Sequence, residues 1–196
     1  MTVAERDRLL LVVGAATPPG RLAAAIGYAA EAVRGQGGVE ADVLNLAESP
    51  VEFCDGRALD AYDATTRDAV GRIVSAGAVL IGAPVYRATY PGVLKNLLDL
   101  APVEALRGKP VGILAMGGSP HHFLGVDWQL REVLTWFGAL TAPTAVYVTG
   151  GDFKDGQLAS ESARKDLAGL VETLVTLMRR LDPAALGPTP LAAKFT

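Results

Sequence analysis

Ala78-Val79-Leu80-Ile81-Gly82-Ala83-Pro84-Val85-Tyr86-Arg87-Ala88-Thr89-Tyr90-Pro91-Gly92-Val93-Leu94-Lys95-Asn96-Leu97-Leu98-Asp99 is the stretch on which the fold turns. Its opening, Ala78 to Ala83, is apolar without alternation, as expected of a strand covered on both faces. Pro84 and Pro91 bracket a short polar and aromatic turn. From Gly92 to Leu100 the apolar side chains recur at helical spacing, with Pro91 at the entry. A buried strand that passes through a turn into a helix is half of a βαβ unit.

Working outward, three more runs repeat the pattern: Leu9 to Val13, Val111 to Met116 and Ala145 to Val148. A fifth, Val39 to Leu46, alternates, with Val39, Ala41 and Val43 on one side and Glu40, Asp42 and Leu44 on the other, which suits an edge strand. Helices are expected over Arg21 to Arg34, Ala64 to Ala76, Gly92 to Leu100, Val126 to Phe137 and Ser160 to Leu181. In the last of these Leu167, Leu170, Val171, Leu174, Leu177, Met178 and Leu181 make one apolar face. An alternating second strand among buried ones predicts a doubly wound parallel sheet of five strands in the order 2-1-3-4-5, with helices on both faces and a nucleotide at the carboxyl ends of strands one, three and four.

The chain of 196 residues is 50% apolar and 6% aromatic, and it is long enough for one sizeable core. Residues 1–182 read as one domain, and 183–196, with three prolines among small residues, as an extended tail. A net charge of -3 with scattered Lys and Arg argues against a nucleic-acid binder. The single cysteine, Cys54, excludes an intrachain disulfide and fits a reducing cytoplasm. The start of the chain superficially resembles a signal peptide, but acidic Glu5 and Asp7 and the short apolar run favour a first strand. No apolar stretch nears the roughly 20 residues that cross a bilayer.

Three loops at the strand ends could hold chemistry. The first, Gly14 to Arg21, is neither a Walker loop nor the dinucleotide glycine fingerprint. Its Thr17 hydroxyl and Arg21 guanidinium suit a phosphate monoester, although Pro18 and Pro19 remove two amide donors. The second is the Pro84 turn, whose backbone could face the polar edge of a flat heterocycle while Tyr86 borders the ring. The third, Gly117-Gly118-Ser119, puts glycines where a backbone meets a ligand closely. His121 and His122 are the only histidines; adjacent residues seldom reach one metal, no acidic or sulfur cluster joins them, and no metal site is expected. Solvent-exposed loop histidine is the simpler reading, with a contact from one of the pair to a bound ligand as the alternative. Cys54 reads as a half-buried loop residue.

The string at positions 84, 86, 92, 94 and 95 resembles the NAD(P)H-dependent FMN reductase family, most closely the reductase component of two-component alkanesulfonate monooxygenases. There a Pro-x-Tyr element is followed by Gly, an aliphatic pair and Lys opening the next helix. The resemblance runs from about Leu9 to Leu181 and implies a flavodoxin-like domain, with FMN as cofactor and NAD(P)H as hydride donor. It implies Thr17 and Arg21 at the FMN phosphate, Pro84, Val85, Tyr86 and Arg87 on one edge of the flavin, and Gly117, Gly118 and Ser119 on the other. The cofactor performs the redox step, so no catalytic acid or base is called for. The family's serine-rich first loop is thinned here, which suits a loosely held flavin handed to a flavin-dependent monooxygenase. Two other readings remain open: an enzyme that retains FMN and reduces a quinone or azo compound, and a non-enzymatic flavin carrier. The resemblance also implies a homodimer or homotetramer through the helix after Pro91, whose leucines exceed one sheet contact, and through Trp128, for which core packing is the alternative.

Overall fold

The structure, a computed structural model, describes residues 7–182 and 185–188. The tail expected over 183–196 lies outside the described residues except for 185–188, so it is neither supported nor contradicted.

Strand β1 (Arg8–Val13) lies between β2 (Glu40–Asn45) and β3 (Ala78–Pro84), β4 (Pro110–Gly117) follows β3, and all pair in parallel. The outermost place is shared by two segments, β5 (Leu140–Thr141) and β6 (Val146–Thr149), each parallel to β4. The expected order 2-1-3-4-5 therefore holds, but the fifth position is split, where one run from Ala145 to Val148 was expected. Between the segments lies Pro143, which has no N–H for a ladder and is tolerated on an edge. The remaining strands, β7 (Phe153–Lys154) and β8 (Gln157–Leu158), form a separate antiparallel hairpin.

Among the described residues four helices connect strands, α1 (Arg21–Arg34), α2 (Ala64–Ser75), α3 (Gly92–Leu100) and α4 (Phe123–Trp136), and a fifth, α5 (Glu161–Arg180), follows the last strand. The central strands send alternate side chains into two cores, which is why they show no polar alternation. Leu9, Leu11 and Val13 pack with Ile26 of α1 and Leu170 and Leu174 of α5, whereas Leu10 and Val12 pack with Ile73 of α2, Leu94 and Leu97 of α3 and Leu130 of α4. Burying each such leucine contributes roughly 1.5–3 kcal/mol. On the edge strand Val39 is buried and Glu40 exposed, but the expected alternation fails farther along: Val43 is 40% exposed, while Leu44, on the Glu40 side, is buried in the second core.

Two expectations change. The leucines of α3 are not surplus: Leu94, Leu97, Leu98 and Leu100 are all buried within the chain, the last against Tyr62 and Val70. Helix α4 begins at Phe123 instead of Val126, after a turn of 3-10 helix over Pro120–His122. Its Gly125 touches the turn after β3: a Cβ there would come within 3.0 Å of the Ala88 carbonyl oxygen.

Candidate functional site

The parallel register brings the three loops to one rim. Val13 stands beside Gly82, and Pro84 beside Met116, so the chain leaves β1, β3 and β4 at one level. The order of strands reverses between β1 and β3, and such a crevice is where open α/β sheets take ligands.

Helix α1 opens onto this rim. Its N-cap is Gly20, with no side-chain hydrogen bond and no acidic residue in the first turn. The amides of a first helical turn have no partner within the helix, and together with the helix dipole they favour an anion. Thr17 and Arg21 are both exposed here. The Arg21 guanidinium lies 3.1 Å from where a side chain at Gly150 would begin, so the turn after β6 also borders the site. A cleft of about 460 Å³ separates this helix end from Gly156 and Gln157 of the β7–β8 hairpin.

After β3 the chain forms a miniature hairpin. Val85 N–H donates to the Met116 carbonyl at 2.8 Å, and Tyr86 and Thr89 exchange hydrogen bonds of 2.7 and 3.0 Å. The amides of Val85 and Tyr86 are therefore spent inside the protein and do not face a ligand, contrary to the expectation for this turn. What Tyr86 offers is its ring, 45% exposed. At the hairpin tip Arg87 and Ala88 have φ of 49° and 68°, left-handed conformations that disfavour any side chain.

After β4, Gly117 has a reason to be glycine other than closeness to a ligand. A Cβ there would lie 1.8 Å from the Tyr147 hydroxyl oxygen, which crosses over it to donate to the Ser119 carbonyl at 2.6 Å. Burial pushes the pKa of Tyr147 up, which keeps it a donor. Gly118 is exposed, with open space where its Cβ would stand. The amides of Gly118 and Ser119 donate to no described residue.

The N-termini of α3 and α4 likewise lack a capping side chain and an acidic first turn. All nine residues expected at the site thus lie on one rim. Sequence reasoning missed Tyr147 and Gly150, both on or after the split fifth strand. Among the described residues no cluster of His, Cys, Asp and Glu could hold a metal. The two histidines are exposed, and Cys54 is half-buried, its N–H bonded to the Asn96 side chain at 2.8 Å.

The family model described as NADPH-dependent FMN reductase matches residues 8–171. The chain belongs to the NADPH-dependent FMN reductase family. Within and around it, the chain is 36% identical over 182 residues to an FMN reductase (NADPH) of Escherichia coli, covering 90% of this chain and 85% of that protein. It is 34% identical over 138 residues to an NAD(P)H-dependent FAD/FMN reductase of Geobacillus thermodenitrificans, covering 70% and 75%. The fold matches that of FerB, a flavoenzyme NAD(P)H:(acceptor) oxidoreductase from Paracoccus denitrificans, with a TM-score of 0.73 at 18% identity over 89% of this chain and 98% of the other. A flavodoxin from the domain Archaea aligns with a TM-score of 0.61 at 10% identity over 88% and 99%, and the fold of this chain is flavodoxin-like.

The rim of this FMN reductase family member suits the cofactor on its own geometry. A phosphomonoester is matched by the uncapped α1 end and Arg21, and a flat ring by the exposed Tyr86 face and the free amides of Gly118 and Ser119.

Proposed function

We propose that this chain is an NAD(P)H:FMN oxidoreductase, which takes a hydride from a reduced nicotinamide nucleotide and delivers it to FMN. The observation that carries the reading is the α1 N-terminus, uncapped and beside Arg21 at the crevice between β1 and β3. FMN, when bound, supplies the two-electron acceptor. Arg21 and the first amides of α1 hold its phosphate, with the Thr17 hydroxyl at hand. Tyr86 borders the ring on the side of Pro84, Val85 and Arg87, and Gly118 and Ser119 donate to its polar edge. Gly117 and Tyr147 fix the shape of that turn.

The phosphate loop offers only Thr17 and Arg21 as side-chain ligands, which supports a flavin that dissociates after reduction and is handed to a monooxygenase. We further place the protein in the cytoplasm, in keeping with its lone cysteine; no helix among the described residues is long and apolar enough to cross a membrane. Self-assembly through α4 is supported by Phe123, Trp128 and Trp136, which stand 52%, 62% and 52% exposed. The exposure of Trp128 removes the core-packing alternative. A groove of about 430 Å³ between α3 and α4, lined by Leu98, Val133, Trp136 and Phe137 with the charged Lys95, Asp99 and Glu132, lies beside Trp136, and light scattering gives the assembly's size.

The test is a titration with FMN and with riboflavin, followed by NADH and NADPH oxidation. FMN should bind about tenfold or more tightly than riboflavin, the worth of one charge-assisted contact. No oxidation of either nucleotide at saturating FMN would sink the proposal. Retention of FMN through dialysis, with turnover of quinones, would instead select a reductase that keeps its cofactor.

A further inference from the structure

Beside the rim, a second cavity of about 410 Å³ opens between the hairpin after β3 and the start of α4, lined by Val85, Arg87, Ala88, His121, His122 and Gly125. Three of these six residues carry cationic or protonatable nitrogen and none is acidic. Arg87 comes from one loop, and the histidines come from another. His122 is also the N-cap of α4, whose first turn has no acidic residue and no capping side chain.

The backbone that presents Arg87 is unusual. It occupies the first of two successive left-handed positions, φ 49° and 68°, in a turn where Asn or Gly would be at ease. Strain of this kind, held by its surroundings, marks functional sites. The surroundings here include Gly125, whose bare Cα lets α4 press on the Ala88 carbonyl. A phosphate is the ligand that matches a guanidinium, two imidazoles and a helix N-terminus converging on one cavity.

The FMN phosphate is already accounted for at α1, on the other side of the rim. Hydride transfer requires the nicotinamide to stand about 3–3.5 Å from the flavin ring, so the rest of the donor must extend over a neighbouring surface. We propose that Arg87, His121 and His122 form the subsite that takes a phosphate of the nicotinamide dinucleotide while its nicotinamide lies over the flavin. This rests on the FMN reductase reading, and it reassigns the Arg87 side chain from the flavin to the hydride donor.

The test uses calorimetric titration of the flavin-free protein with 2′,5′-ADP and with ADP, alongside KM for NADPH and NADH. Arg87→Gly relieves the left-handed strain, so it should melt at or above the wild-type temperature while losing about tenfold in affinity for the phosphate probe. His121→Asn with His122→Asn should lose affinity in the same direction, and Arg87→Lys should recover part of it. A KM increase confined to NADPH places the 2′-phosphate in the cavity; equal increases for both donors place the pyrophosphate there. The proposal is overturned if the wild-type protein binds neither probe, if Arg87→Gly binds both as tightly as wild type, or if its loss falls on FMN. Should wild type bind 2′,5′-ADP through these residues yet fail to reduce FMN, the phosphate subsite stands and the reductase reading falls.

Discussion

The five helices divide by what stands at their N-termini. Helices α2 and α5 follow the edge positions of the sheet, and both are closed: Asp63 accepts from Thr66 N–H at 2.7 Å, and Ser160 accepts from Ala163 N–H at 3.3 Å. Helices α1, α3 and α4 follow the central strands β1, β3 and β4, and none has a capping side chain. A good cap stabilises a helix by about 0.5–2 kcal/mol, so three omissions in a row forgo a sizeable sum. The omissions coincide with the crevice where ligands reach an open α/β sheet. Stability is arranged at the edges, and unsatisfied donors are concentrated at the centre.

If the central rim is not held by caps, close packing must hold it, and the turn after β4 breaks or sharpens that comparison most strongly. Gly117→Ala drives a methyl into the Tyr147 hydroxyl, so the ring must swing away from the Ser119 carbonyl, at about 1–3 kcal/mol. Gly118→Ala meets nothing within 4 Å and should melt like wild type. Thermal melts and FMN reduction rates of the two variants, one residue apart, should therefore separate widely. Equal behaviour would show that Tyr147 does not shape the turn.

The same contrast explains what was legible in the sequence. The bounds of α1 and α3 fall as expected because their periodic apolar residues face a sheet whose strands are uniformly apolar. The rim residues were legible as a set, since strand ends in a parallel sheet must converge. Their individual roles were not. The amide of Val85 is spent on Met116, a residue of another strand, and nothing local announces it. The left-handed pair Arg87–Ala88 defies residue preference, and the need for glycine at 117 comes from Tyr147, two strands later. The leucines of α3 looked surplus because periodicity counts apolar residues without revealing that Tyr62 and Val70 cover Leu100.

Helix α2 is closed at its other end as well, by Lys109, whose ammonium donates to the Ile73 and Val74 carbonyls at 2.9 and 2.6 Å. Lys109 is 7% exposed, and burial pulls its pKa down from 10.5 to about 8. A cation whose pKa is lower in the folded state opposes folding while it is charged. Stability should accordingly be lower below pH 8 and rise as the pH climbs from 8 toward 10.5, by roughly 3 kcal/mol in full. Tyr90 and Tyr147, whose pKa values burial raises, act in the opposite sense only above their ordinary value of 10.0. Urea melts between pH 7.5 and 9.5 should show the rise in wild type and lose it in Lys109→Met; a flat wild-type profile refutes the assignment.

The smallest effect, and the most direct trial of the comparison, comes from exchanging the two kinds of helix end. Gly20 has φ -152° and ψ -147°, a negative φ, and only the Pro18 carbonyl lies within 4 Å of its would-be Cβ. Aspartate therefore fits there, and Gly20→Asp places a carboxylate on the free amides of α1. The helix should gain up to about 1 kcal/mol, while FMN affinity falls about tenfold because the carboxylate takes the phosphate's donors. Riboflavin, without a phosphate, should bind as before. Asp63→Ala is the converse: it leaves the Thr66 amide without its acceptor, so the melting temperature should fall by a few degrees with no change in KM for FMN. If Gly20→Asp weakens riboflavin as much as FMN, the open end of α1 serves something other than the phosphate, and the division between closed edges and an open centre loses its functional meaning.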